Sequence, residues 1–127
     1  MRLIDKVVGA GLLIAFAVLM QIPVKPPNDL WFKMVVCDET RPVLVKFGAE
    51  WCPPCQQMEP VLDRVASDIS GKVKIVRIDI DERPELASHY GVSSIPRIFL
   101  FKNGRVVASH GGFPDAKSVQ EWLDRKI

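Results

Sequence analysis

The sequence has little that would staple it, repeat it or give it charge of one sign. Three cysteines in 127 residues are too few for a disulfide-stapled scaffold. No internal repeat or low-complexity tract is present. Lys plus Arg is 17 and Asp plus Glu is 15, a surplus of +2. That surplus lies in the first 25 residues, where Arg2, Lys6 and Lys25 outnumber Asp5. Residues 26–127 are charge-balanced, which argues against nucleic acid as a partner, since such binding rests on a basic face. What is present is apolar material: 48% of the chain is hydrophobic and 25% charged, so it is neither disordered nor fibrous. The length suits one compact domain and excludes two.

Residues 1–25 differ from the rest. Val7–Met20 runs without a charged or strongly polar side chain, and Lys25-Pro26-Pro27 stops the apolar stretch. A cleaved secretory signal, with Ala15-Phe16-Ala17 as cleavage site, is one reading. An uncleaved anchor over residues 7–24, just within the spanning range of roughly 17–25 residues, is the favoured one. A buried soluble helix is the least favoured, because no polar stripe breaks the run. Positive residues ahead of the run direct the remainder away from the cytoplasm. The expectation is therefore a cell-membrane protein with a single N-terminal span and its domain on the periplasmic side, or else an exported soluble form. Residues 1–25 are assigned to this segment and its Pro-rich linker, and residues 26–127 to the domain.

Within the domain, element types alternate. Asp29–Cys37 reads as a helix with Leu30, Met34 and Cys37 on one face. Pro42–Phe47 reads as a buried strand. Cys55–Ile69 is an amphipathic helix presenting Met58, Val61, Leu62, Val65, Ala66 and Ile69 at spacings of three and four, with Pro60 inside it. Val73–Ile80 alternates as a strand, and Pro84–Tyr90 is a short helix ended by Gly91. Arg97–Lys102 and Arg105–Ser109 flank Asn103-Gly104, a two-residue hairpin signal. Pro114-Asp115 opens a last helix that packs Val119, Trp122 and Leu123. This order gives an α/β fold with a small sheet, one half parallel and one half an antiparallel hairpin.

Trp51-Cys52-Pro53-Pro54-Cys55 falls between an expected strand and an expected helix. Unpaired backbone N–H groups and the positive end of the dipole at a helix start favour an anion. Cys52 is thereby biased toward thiolate, the nucleophile of thiol–disulfide exchange. Cys55 is one turn on, close enough to bond to Cys52 or to resolve a mixed disulfide. Prolines cost little in the first helical turn. Structural zinc would need four ligands, and only Cys37, His89 and His110 remain, at scattered spacings, so no metal is expected. Neither histidine has a positioned acidic partner readable from sequence, which argues against a Cys–His hydrolase.

With these residues in view, the chain resembles the thioredoxin family over about 100 residues, 28–127. The segments FGAEWCPPC (47–55), RIDID (77–81), HYGVSSIP (89–96) and FLFKNGRVV (99–107), with Pro60 and Gly111-Gly112, occur in the family's order. The resemblance implies a thioredoxin fold: a small central mixed sheet flanked by helices, its first strand short or missing, preceded here by an N-terminal apolar helix. It implies that Cys52 attacks and Cys55 resolves, and that Ile95-Pro96 forms a cis-proline loop beside them. Trp51, Ile95, Pro96 and Gly112 then form the substrate-docking surface. No cofactor is implied beyond the Cys52–Cys55 pair. Protein disulfides are the implied substrates, with a membrane or soluble thiol electron donor, and residues 7–24 contact the membrane.

The chain also departs from the family pattern. Lys46 stands where a buried Asp is usual and Arg77 where a Lys is usual, so both are candidates for tuning thiol ionisation. Lys46 is expected either to point inward or to reach the surface and pair with Glu50 or Asp79. Gly48 replaces a frequent Trp, and Arg97 follows Pro96 where a small residue is common. The expected function is reduction or isomerisation of protein disulfides outside the cytoplasm. An oxidising disulfide donor and a non-turnover binding module are the alternatives.

Overall fold

A computed structural model describes residues 26–69 and 71–127. The expected N-terminal apolar helix and the 7–24 span lie outside the described residues. Leu30–Phe32 is helical and continues as a π-helix over Lys33–Cys37, together α1. Then follow β1 (Val43–Gly48), α2 (Pro53–Asp68), β2 (Lys74–Asp79), α3 (Pro84–His89), β3 (Arg97–Lys102), β4 (Arg105–His110) and α4 (Ala116–Lys126). The sheet order is β2-β1-β3-β4. β1 pairs parallel with β2 and antiparallel with β3, and β3 pairs antiparallel with β4. Among the described residues no strand precedes β1; the stretch that could supply a first strand, residues 21–24, lies outside them.

Side-chain parity divides the core in two. Successive residues of a strand face opposite sides. Val43, Val45 and Phe47 face α1 and α3, where they join Phe32, Val36, Leu86 and Phe101. Leu44 faces α2 and α4, with Leu62, Val65, Ile98, Val119 and Trp122. All six residues of β1 are buried, which is why PVLVKF reads as a continuous apolar run broken only by Lys46.

Local chemistry sets the boundaries. Asp115 accepts a hydrogen bond from the Ser118 N–H at 2.8 Å and caps α4. Asn103 and Gly104 both have positive φ, 53° and 77°, as a tight hairpin between twisted strands requires. Gly91, at φ 65°, ends the segment after α3.

Two expectations are corrected. In α1 the buried side chains are Phe32 and Val36, while Leu30 and Met34 are 72% and 62% exposed. Residues 30–37 carry one charged side chain, Lys33, so their hydrophobicity does not choose a face. The choice is tertiary. The Asp29 carboxylate accepts from the Phe32 N–H at 2.9 Å and from Arg83 at 2.6 Å, and that guanidinium stacks over Trp31. This fastens the helix start and turns Phe32 onto Phe101 and Tyr90. In α2, Ala66 is exposed, and Cys55 joins the buried stripe instead.

Leu62 is fully buried between α2, the sheet and α4. Leu62→Ala is expected to cost about 2–5 kcal/mol. This is read as a lower urea midpoint with an unchanged denaturant slope.

Candidate active site

β1 ends at Gly48, and four residues later α2 begins with Cys52 as its N-cap. Pro53 and Pro54 occupy the first two helical positions, so neither offers an N–H. The first N–H of the helix belongs to Cys55, and it points at the Cys52 sulfur at 3.3 Å. The Gln56 N–H donates to the Cys52 carbonyl at 3.1 Å. Cys52 and Cys55 are joined as a disulfide, their Cα atoms 5.2 Å apart. The sulfurs are not equivalent: Cys52 is 4% exposed and Cys55 0%. Once the bond opens, the helix end favours negative charge on Cys52.

Other expected site residues converge on this pair. Ile95-Pro96 is a cis peptide bond. The Cys52 sulfur lies 3.9 Å from the Ile95 carbonyl oxygen, and Ile95 packs on a cluster of Ala49, Cys52 and Cys55. Gly112 is brought against Pro96, where a Cβ would stand 3.2 Å from the proline Cγ. Trp51 is 66% exposed and is held by a 2.7 Å hydrogen bond from its indole N–H to Asp81. Arg97 instead turns to Ser109, donating at 3.0 Å.

Lys46 points inward. It is the one buried charged residue among those described, and its partner is Glu59, not Glu50 or Asp79. Parity explains the direction: Lys46 shares the α2-facing side of β1 with Leu44 and Gly48. Arg77, opposite Lys46 in the β1–β2 register, reaches the other Glu59 oxygen at 2.6 Å and Asp63 at 2.9 Å. Two cations thus share one carboxylate. Burial pushes the Glu59 carboxyl up, but hydrogen bonds from Lys46 and Arg77 and their charges outweigh it and hold the group below the usual range.

Glu59 was not singled out from sequence. The signal was available in its spacing, four residues after Cys55 on the same helix, which puts both on one face. Asp81 and Ala49 were missed too, because only the folded chain brings them to the motif. Cys37 lies apart from the site, half-buried, and burial raises its thiol, with Asp38 adding and Lys33 opposing. His89 is exposed at the end of α3, and His110 stacks on Phe113 at 4.1 Å. Among the described residues no group of three or more His, Cys, Asp or Glu is arranged to hold a metal ion.

The family model described as Thioredoxin matches residues 23–125. The chain belongs to the thioredoxin family. It is similar to a thioredoxin of Rickettsia felis, 41% identical over 100 residues that cover 79% of this chain and 95% of the relative. A Haemophilus influenzae thioredoxin is 45% identical over 79% of this chain and 94% of its own length. Thioredoxin 1 of a Nostoc species is 39% identical with the same coverage. As a member of this family, the chain is a thiol–disulfide oxidoreductase, and the family's substrates are protein disulfides.

The same findings correct the expected location. A periplasmic domain on a membrane span is not upheld, and the exported alternative falls with it. The matched relatives are named thioredoxins, nearly filled by the shared domain. No helix among the described residues is long and apolar enough to cross a membrane. The longest of them, α2, has 16 residues and exposes much of its surface.

The shifted Glu59 carboxyl has a pH consequence. A carboxyl depressed in the folded state stabilises the fold above its unfolded pKa, and this contribution is lost as pH falls through the folded value. The wild-type chain is expected to lose stability more steeply than Glu59→Gln below about pH 4.5. Urea unfolding between about pH 6 and pH 3 checks this; equal slopes would remove Glu59 from the acid response.

Proposed function

We propose that this member of the thioredoxin family reduces protein disulfides, with residues 26–127 as the functional unit. Cys52 attacks the substrate disulfide and forms a mixed disulfide. Cys55 then attacks the Cys52 sulfur and releases the reduced substrate. The observation that carries this reading is the difference between the two sulfurs. Cys52 caps the helix at the rim of the site, while Cys55 is fully buried one turn in. An incoming protein meets the first sulfur, and the second, one turn in, is left free to displace the substrate from it.

Trp51, Ile95, Pro96 and Gly112 supply the docking surface in this reading. Their closeness to the disulfide, with Trp51 exposed and Gly112 without a side chain against Pro96, supports the role. Lys46 and Arg77 tune the thiols by charge. The sulfur pair itself carries the two electrons, so the cycle needs only a thiol electron donor to restore the dithiol. Reduction is preferred over oxidation because the chain is a plain thioredoxin body, with no helical insertion in residues 28–127. One observation favours the opposite direction: the buried cation Lys46 stabilises thiolates and so makes the disulfide a stronger oxidant.

Catalytic amounts of the chain are expected to speed insulin reduction by a chemical dithiol, and Cys52→Ser is expected to abolish this. Activity surviving in Cys52→Ser would overturn the assignment of the attacking sulfur. Cys55→Ser is expected to accumulate mixed disulfides with its substrates, visible on non-reducing gels. The equilibrium of the pair against glutathione decides direction: a potential near those of dedicated oxidants would replace reduction with disulfide donation.

A further inference from the structure

Lys46 is buried, and nothing in the packing of β1 requires a charge there. An apolar residue would fill the same α2-facing position next to Leu44. The lysine stem instead runs past Gly48, beside the resolving sulfur, to its ion pair with Glu59. A Cβ at Gly48 would meet Lys46 Cε at 3.2 Å and Cys55 Sγ at 3.3 Å, so both border the space that glycine leaves empty. Beyond it, a cleft of about 180 Å³ lined by Lys46, Gly48, Gln56 and Arg77 opens to solvent. On the far side Lys46 is held by Glu59, on the same helix as Cys55.

Resting on the exchange reading above, we infer that Lys46 and Glu59 act as an opposed pair of positioning residues that sets how readily Cys55 ionises. Lys46 draws negative charge onto the Cys55 sulfur; Glu59 holds Lys46 in place and offsets part of its field. In the resolving step the Cys55 thiol loses its proton to solvent through the cleft. The thiolate attacks Cys52, the Cys52–substrate S–S bond breaks, and the Cys52–Cys55 bond forms. The leaving substrate sulfur takes up a proton. Two electrons pass from the dithiol to the substrate disulfide.

The other charges facing this spot are few. α2 also carries Asp63, already engaged by Arg77. β2 presents Arg77, shared between Glu59 and Asp63, and Asp79. Glu50 and Glu82 lie at the cleft rim. The β3 residue opposite Lys46 is the apolar Ile98. Lys46 is the buried cation whose side chain borders the same gap as the Cys55 sulfur, and Glu59 is its direct counter-charge.

The test uses the Cys52→Ser chain, in which ionisation of Cys55 is followed by thiolate absorbance against pH. Lys46→Met is expected to lower the Cys55 thiolate fraction at neutral pH by about tenfold. Glu59→Gln is expected to raise it several-fold, and Lys46→Arg to retain it. Opposite signs are the signature, because mere loosening of the site would move both variants the same way. Shifts of the same sign, or no shift, overturn the inference. Should Lys46→Met not fold, Glu59→Gln decides alone: a rise supports the pair, and a fall or no change overturns it. Insulin reduction by the wild-type chain, measured alongside, separates the two readings. Absent turnover rejects the exchange reading, whereas normal turnover with the wrong shifts rejects only the pair.

Discussion

A strand covered on both faces has no freedom to roll, and β1 is such a strand. Its α1-facing residues, Val43, Val45 and Phe47, are locked into one core, and Leu44 into the other. A shift of one residue would swap every side chain between the two cores. The chain therefore leaves the sheet at a fixed place and in a fixed direction, and it must turn at once into α2. Cys52 becomes the N-cap of α2 because β1 cannot end elsewhere. The chemistry of the motif follows from that placement, since a cysteine pair on a surface loop would lack both the helix end and the burial of the second sulfur.

The same lock drives Lys46 inward. A buried ammonium costs several kcal/mol unless it is paired, and no buried side-chain polar atom among the described residues lacks a partner. Glu59 meets that need from the helix that begins at the motif, and Arg77 completes the cluster from the neighbouring strand. Such a cluster adds little net stability over an apolar replacement. In the proposed pair, its value lies in placing charge near Cys55, the deeper of the two sulfurs.

Much of this was legible in the sequence, for physical reasons that differ by element. The hairpin at Asn103-Gly104 and the cap at Asp115 rest on local backbone chemistry, which needs no tertiary context. β1 is a short continuous apolar run of strand length, and α2 and α4 carry strong helical periodicity. The disulfide pair and the cis-proline loop came from motif spacing and family resemblance. The face of α1 was not legible, because a segment with one charged residue points wherever its capping and its aromatic neighbours send it. The partner of Lys46 was not legible either. Glu50 and Asp79 were nearer in sequence or register, but parity directs Lys46 at α2, where Glu59 lies one turn beyond Cys55. The membrane expectation rested on the hydropathy of residues 7–24 alone, a signal that says nothing of the domain to which it is attached.

The site thus has two openings with different character. The rim above Cys52 is apolar and shaped by Trp51, Pro96 and Gly112, with the Ile95 carbonyl close to the sulfur. Such a surface suits an extended chain that brings its own backbone and an uncharged disulfide. The cleft beyond Gly48 is lined by charged side chains, and Gly48 in its wall borders the Cys55 sulfur. In the proposed exchange, substrate enters on the first side and the proton leaves on the second. A bulky side chain at position 48 would crowd both Lys46 and the Cys55 sulfur and narrow the rear opening. In the proposed pair, glycine there and lysine two residues earlier work together: the glycine leaves the space that both the lysine side chain and the Cys55 sulfur border.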